Sequence, residues 1–390
     1  MDTKIDRLDD AHWRNLKNVA IFGYGRYGSR LLPYLKKNFN IVAIIDNDFR
    51  KRGKVIDGIQ IMSAEDAKSI LHNYRTIVTT QAFFYTPICN QLQEMGLVEN
   101  VDFTVWNQFF SEWYYKYKDM ICLEKADIPI TSFCSLNCES CSVFTPYIKE
   151  KRHEALEEIE KSIFLFFQNV DRVQDMNLYG GEVFLHPQLC EIIEMLGKYR
   201  ERIGYLGIIT NGTIIPDLKV IELFKKYNIG ISISDYSNSV DYKGKLEKLC
   251  KILEENKINV IRTVNMVWFD LGFPQKKIHY NMADATNHMV CCNTACHDLI
   301  DGKIYYCIAD RAAQMGGLVP CSEKSYIDLT KINKDDLESR KAILELCAGN
   351  IEGGSLDFCR MCGGFGSDNL DEIPAAKQVK VTQCRDGGNR

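Results

Sequence analysis

Short apolar runs alternate with amphipathic stretches along most of the chain. Between residues 18 and 105 the runs NVAIFG, IVAIID and RTIVTT are rich in β-branched residues, and SRLLPYLKKN and SAEDAKSILHN between them carry a helical period. That grammar predicts a βαβαβ unit. The aromatic-rich WNQFFSEWYYKYKDM at 106–120 predicts a packed helical connector. A second series follows, in which DIPITS, QDMNLYGGE, YLGIITNG, IGISISD and INVIRTVN read as strands and ALEEIEKSIFLFFQN between two of them is amphipathic. Regular strand–helix alternation predicts a barrel or partial barrel, with its chemistry at the C-terminal strand ends. From about residue 286 the pattern breaks into short Gly- and Cys-rich pieces, whose stability would come in part from bound metal. The expected fold class is α/β in three parts, 1–122, 123–285 and 286–390.

With 390 residues, 46% of them hydrophobic, the chain can bury two or three cores. Its N-terminus is polar and its most apolar run, IFLFFQNV at 163–170, is far shorter than a bilayer span. No signal peptide, no membrane span and a cytoplasmic location are expected. A net charge of −4 with mixed signs lacks the basic stripe that a phosphate backbone requires, so nucleic acid is not an expected partner. Sixteen cysteines in a reducing compartment point to metal rather than disulfides. They cluster as Cys134, Cys138 and Cys141, then Cys291, Cys292, Cys296 and Cys307, then Cys359 and Cys362, whereas Cys89, Cys190 and Cys250 read as small buried hydrophobes.

The loop CSLNCESC holds three thiols where a structural zinc site wants four. An iron–sulfur cluster suits them better: with one cysteine per iron, a four-iron cluster keeps one iron open for chemistry. ITSFCSLNCESCS closely resembles the CxxxCxxC loop of the radical S-adenosylmethionine (radical SAM) superfamily, and the resemblance extends over residues 124–270. It implies a partial (β/α)6 TIM-like barrel and a [4Fe-4S] cluster on Cys134, Cys138 and Cys141 whose open iron chelates SAM. Gly180, Gly181 and Glu182 match the family's GGE motif, with Glu182 implied to accept from the methionine ammonium. Asn211, in Thr210-Asn211-Gly212, ends the third strand; Ser232 and Ser234 on the fourth are implied to reach the ribose or carboxylate. Arg262 is expected to pair the SAM carboxylate. The usual aromatic before the last cysteine is Ser140 here, which shifts the expected adenine contact to backbone or to Phe144.

CCNTACHDLIDGKIYYC with the later CRMC resembles the SPASM extension or its shorter twitch form, which implies one auxiliary [4Fe-4S] cluster on Cys296, Cys307, Cys359 and Cys362. Cys296 is the first choice of upstream ligand and Cys292 the alternative; Gly302 is expected to turn a hairpin. A structural zinc on the same four thiols is the competing reading. His297 is expected to orient a neighbour rather than bind metal, and His186 to be structural.

Gly23, Gly25 and Gly28 lie between a predicted strand and helix, with Asp46 about twenty residues on, as a Rossmann-like dinucleotide fingerprint requires. One reading is a nucleotide site with Asp46 on a ribose; the other is a module kept for docking or dimerisation. The segment resembles small nucleotide-binding-like domains of bacterial sugar-modifying and glycan-assembly enzymes. The expected function is reductive cleavage of SAM to a 5′-deoxyadenosyl radical, followed by hydrogen abstraction from a sugar, sugar nucleotide or glycan precursor. The outcome would be oxidation or, with a thiol donor such as Cys321 or Cys384, epimerisation. A flavodoxin or ferredoxin is the expected electron donor. Peptide modification and a non-catalytic metal-stabilised scaffold are the alternatives.

Overall fold

A computed structural model of the chain describes residues 5–80, 84–276, 278–292, 296–366 and 368–379. Its N-terminal sheet contains β1 (Asn18–Phe22), β2 (Asn40–Ile45), β3 (Val55–Ile56), β4 (Ile59–Met62), β5 (Arg75–Val78) and β6 (Phe103–Val105), in the order β3-β4-β2-β1-β5-β6. All neighbours are parallel except β3 and β4, which form a hairpin. β1 sits centrally with Val19 to Phe22 buried, the signature of a strand covered on both faces. The aromatic connector folds into consecutive helical turns from Trp106 to Lys118, and Trp106, Phe109, Phe110, Trp113 and Tyr114 pack with Trp13 and Phe39 into this unit's core.

The central sheet is parallel: β7 (Cys122–Lys125), β8 (Ile128–Thr131), β9 (Arg172–Gly180), β10 (Ile203–Thr210), β11 (Gly230–Asp235) and β12 (Val260–Val264). The path runs β12-β11-β10-β9-β7, and β8 also pairs with β9, so β7 and β8 are two segments of one interrupted first strand. The sheet is open, as a partial barrel requires. Helices Leu156–Asn169, Leu189–Gly197, Leu218–Tyr227 and Lys243–Glu255 cover its outer face through Ile163, Phe166, Ile193, Phe224, Leu246 and Leu249.

The remaining segments are β13 (Val267–Phe269), β14 (Asp298–Ile300), β15 (Lys303–Tyr305), β16 (Tyr326–Asp328) and β17 (Glu372–Pro374), with helices Met282–Cys292, Ile308–Met315 and Leu337–Cys347. β14, β15 and β16 form an antiparallel sheet, while β17 pairs with β13. Asp301 and Gly302 both have positive φ, +52° and +67°, making the tight turn expected at Gly302. Leu299, Ile304, Leu329, Ile343 and Leu344 join the central core, so the C-terminal third takes much of its stability from the barrel. β14 docks at the interruption between β7 and β8, where Asp127 N–H donates to the His297 carbonyl at 2.7 Å and Leu299 N–H to the Asp127 carbonyl at 2.8 Å. Arg30, on helix Arg26–Asn38 of the N-terminal unit, pairs with Asp175 of β9 at 2.8 Å and lies 3.3 Å from the ring centroid of Tyr205 on β10. Among the described residues, no helix is long and apolar enough to cross a membrane.

Candidate active site

The chain leaves β8 at Thr131 and enters the three-cysteine loop. Each of its sulfurs meets a polar group. Cys134 Sγ accepts from Leu136 N–H at 3.4 Å and from the Asn211 amide at 3.5 Å; Cys138 Sγ accepts from the Gln378 amide at 3.3 Å; Cys141 Sγ lies 3.7 Å from the Thr145 hydroxyl. Burial pushes the Cys134 thiol up to about 12 and Cys138 to about 11, with the Leu136 N–H and the Gln378 amide respectively pulling the other way. Buried thiols of this kind ionise when a bound cation offsets the desolvation cost. Soft sulfur donors with N–H groups aimed at them fit an iron–sulfur group.

The two glycines of Gly180-Gly181-Glu182 let this segment pass against the loop. A Cβ on Gly180 would lie 2.3 Å from the Thr131 carbonyl oxygen, and one on Gly181 would lie 2.1 Å from the Phe133 oxygen and 2.9 Å from Cys134 Cβ. Glu182 is fully buried. Its carboxylate accepts from the Thr210 hydroxyl at 2.7 Å, Asn211 N–H at 2.9 Å and Phe184 N–H at 3.2 Å. Burial still pushes it up to about 7 against those three donors. A carboxylate has about four acceptor sites. Glu182 therefore joins the second and third strand ends through three donors. Asn211 completes the joint: its amide reaches Cys134 and, at 3.2 Å, Ser135, while its backbone carbonyl accepts from the Tyr242 hydroxyl at 2.9 Å.

On β11, half-buried Ser232 and Ser234 alternate with buried Ile231, Ile233 and Asp235, so the two serines share the inner face. The register pairs Ser234 with Thr263 and Ile233 with Arg262. Arg262 thus shares the outward face of Ile233, where it pairs with Asp235 at 2.9 Å and Glu247 of the covering helix at 3.0 Å. The expected pairing of Arg262 with a SAM carboxylate is corrected: it faces the helix layer, one position out of phase with the site. Phe144 is likewise removed from the adenine role. It is 1% exposed, has φ +54°, and packs edge-on to Phe273 and Phe358. The first change needs the strand register and the second the tertiary packing of Phe144.

The C-terminal cysteines require a further correction. Cys307, the residue just before helix Ile308–Met315, lies within electrostatic reach of Cys292 and Cys362, and Cys359 within reach of the same two. Burial pushes Cys359 and Cys362 up to about 12. The loop after Cys362 closes on this group: Gly364 N–H donates to Cys362 Sγ and Phe365 N–H to Cys292 Sγ, both at 3.3 Å. Cys296 is elsewhere, accepting from the Lys125 ammonium at 3.4 Å beside the barrel floor. Cys292, ending helix Met282–Cys292, takes the place assigned to Cys296. His297 is buried and held neutral, burial pushing its pKa down to about 4, and Nδ1 bonds the Tyr306 carbonyl at 2.8 Å. Cys321 is exposed, and Cys384 lies outside the described residues. Among the described residues, no three His, Cys, Asp or Glu side chains are gathered tightly enough to hold a single metal ion.

In the N-terminal unit Gly23 has φ +108°, and a Cβ on Gly28 would lie 2.0 Å from the Gly23 oxygen; Gly25 faces open space. These are the turn, packing and access roles of a glycine-rich loop. Asp46 is committed within the protein, accepting from Tyr24 N–H at 2.7 Å, Asp48 N–H at 2.8 Å and Lys51 at 2.8 Å. These donors tie the carboxylate both to the glycine-rich loop, through Tyr24, and to the turn that follows β2.

The profile of the radical SAM superfamily matches residues 128–270, and that described as C2185-like, N-terminal, matches residues 15–101. The antilisterial bacteriocin subtilosin biosynthesis protein AlbA of Bacillus subtilis is 28% identical over 143 residues, 33% of this chain and 29% of that protein. The redox-sensing transcriptional repressor Rex of Brevibacillus brevis is 34% identical over 85 residues, 20% of this chain and 41% of that protein. The matches thus span less than half of either relative. Among solved structures, BtrN in complex with AdoMet and 2-DOIA is similar over 61% of this chain and 92% of that one, at 14% identity and a TM-score of 0.40.

Proposed function

Residues 128–270 are a radical SAM domain, and from that premise we propose an enzyme that abstracts hydrogen from a sugar, sugar nucleotide or glycan precursor. The observation that carries the radical chemistry is the three-cysteine loop at the end of the first strand, locked from behind by Glu182, Thr210 and Asn211. Cys134, Cys138 and Cys141 would hold a four-iron cluster, and the inward serines Ser232 and Ser234 would meet SAM. When bound, the cluster supplies the electron that cleaves SAM to methionine and a 5′-deoxyadenosyl radical, which takes the substrate hydrogen. The protein's own work is to orient the loop and donate N–H groups to its sulfurs. Cys292, Cys307, Cys359 and Cys362 would hold an auxiliary cluster as a route for the second electron, giving net oxidation; a thiol donor would give epimerisation instead.

The glycine-rich module supports the sugar-nucleotide class, with Gly25 open to a diphosphate at the start of helix Arg26–Asn38. A flavodoxin or ferredoxin would supply electrons. Peptide modification is the second reading, favoured by the match to a bacteriocin biosynthesis protein. Anaerobic reconstitution followed by dithionite and SAM should release 5′-deoxyadenosine, and Cys138→Ala should abolish that release. An intact cluster that yields none would sink the enzyme reading. Equilibrium binding of nucleoside-diphosphate sugars and of short peptides then separates the two substrate classes.

A further inference from the structure

The segment that follows the auxiliary cysteines returns across the molecule to the three-cysteine loop. β17 pairs with β13, and Ala375 N–H donates to the Met266 carbonyl at 3.0 Å. Ala375 and Ala376 are fully buried, and Ala376 turns the chain at φ +56°. The next residues then lie antiparallel to the loop: Glu139 N–H donates to the Lys377 carbonyl at 2.7 Å and Val379 N–H to the Asn137 carbonyl at 2.8 Å. Lys377 also pairs with Glu139 at 2.7 Å.

The Gln378 side chain is oriented within this strap. Its Oε1 accepts from Asn137 N–H at 2.7 Å, which assigns the other end of the amide as donor. That donor, Nε2, reaches the Ala376 carbonyl at 2.7 Å and Cys138 Sγ at 3.3 Å. One amide thus reads the loop backbone and serves a loop sulfur together.

Given the radical SAM reading, we infer that Gln378 is a positioning residue that sets the potential of the cluster held by Cys134, Cys138 and Cys141. When that cluster takes one electron from an external reductant, negative charge rises on its sulfurs. An N–H aimed at a ligand sulfur stabilises the reduced state more than the oxidised one, raising the potential. Removing the donor lowers it. The strap also makes the first site depend on a segment 240 residues away in sequence.

The test is an anaerobic redox titration of the full reconstituted chain, following the EPR component that changes when SAM is added, which identifies the first cluster. Gln378→Leu should reduce the reduced-to-oxidised ratio at fixed poise about three- to tenfold, the tenfold end being 59 mV for one electron. Gln378→Glu keeps the length and the Asn137 contact but replaces the donor with an anionic oxygen, so it should shift further in the same direction. Lys377→Ala weakens the strap without touching the donor; the charge it removes is exposed and screened by solvent, so the potential should move far less than in Gln378→Leu. Parental potential in both Gln378 variants with iron retained would overturn the inference. So would a shift in Lys377→Ala as large as in Gln378→Leu, or loss of iron from both Gln378 variants, which would make the residue a structural clip. A parental chain that assembles no SAM-sensitive cluster would instead overturn the underlying reading.

Discussion

At the residue scale, the decisive distinction is between Cys292 and Cys296. Cys292 meets the Phe365 N–H in the group with Cys307, Cys359 and Cys362, whereas Cys296 meets Lys125. Cys292→Ala should therefore lose about four of roughly eight irons, and Cys296→Ala should keep them all. Iron analysis with parallel zinc analysis checks this; the reverse pattern would return Cys296 to the site, and zinc lost in place of iron would make the site structural. Compactness of the hairpin sequence favours Cys296, but the end of helix Met282–Cys292 brings the earlier cysteine over the turn that holds Cys359. The grouping of Cys134, Cys138 and Cys141 was legible because one loop contains all three thiols. Arg262 was misread because a strand's faces alternate by one residue, and only register to Ile233 fixes which face it takes. Gln378 carries no motif at all. Its role exists only through contacts across the fold.

At the element scale, strand order and helix cover follow the hydrophobic pattern closely, since buried parallel strands read as continuous apolar runs. What the pattern leaves unspecified is how strand ends meet. Gly180-Gly181 shows the reason: the pair is needed for close contact with the loop after β8, a contact between segments about fifty residues apart. Gly181→Ala would place a methyl 2.1 Å from the Phe133 oxygen and 2.9 Å from Cys134 Cβ, both on the segment that bears the first ligand. Forcing that segment aside should cost about 1–3 kcal/mol or more. The variant should lose iron from the first site while retaining the auxiliary iron. Gly25→Ala is the internal contrast, because no atom lies within 4 Å of its Cβ position. Its melting temperature should stay at the parental value, a change within about 0.5 kcal/mol. Equal iron loss in both variants would remove the packing explanation.

At the scale of the whole molecule, the three parts meet around a cavity of about 500 Å³ lined by Asn107 and Cys89 of the N-terminal unit, Glu124 of β7, and His297, Tyr306 and Cys347 of the C-terminal part. Beneath the barrel, Arg30 reaches from the N-terminal unit to Asp175 and stacks on Tyr205. Sequence alone gives no sign of this shared floor, because its charges lie on elements that each look self-sufficient. The floor makes the assembly sensitive to pH. Burial pushes the Glu124 carboxyl up to about 8, with the charge of Asp175 adding and Lys125 opposing. A carboxyl raised above its unfolded value of 4.5 contributes stability that is fully present below pH 4.5 and is lost as pH rises through about 8. Glu124→Gln cannot ionise, so its melting temperature relative to the parent should climb steadily between pH 5 and about 8, then level off. The measurement is a pair of thermal unfolding series on the full chain from pH 5 to 9. A constant difference across that range would show that Glu124 ionises as freely in the folded protein as in the unfolded chain, and that the three-part interface does not hold it neutral.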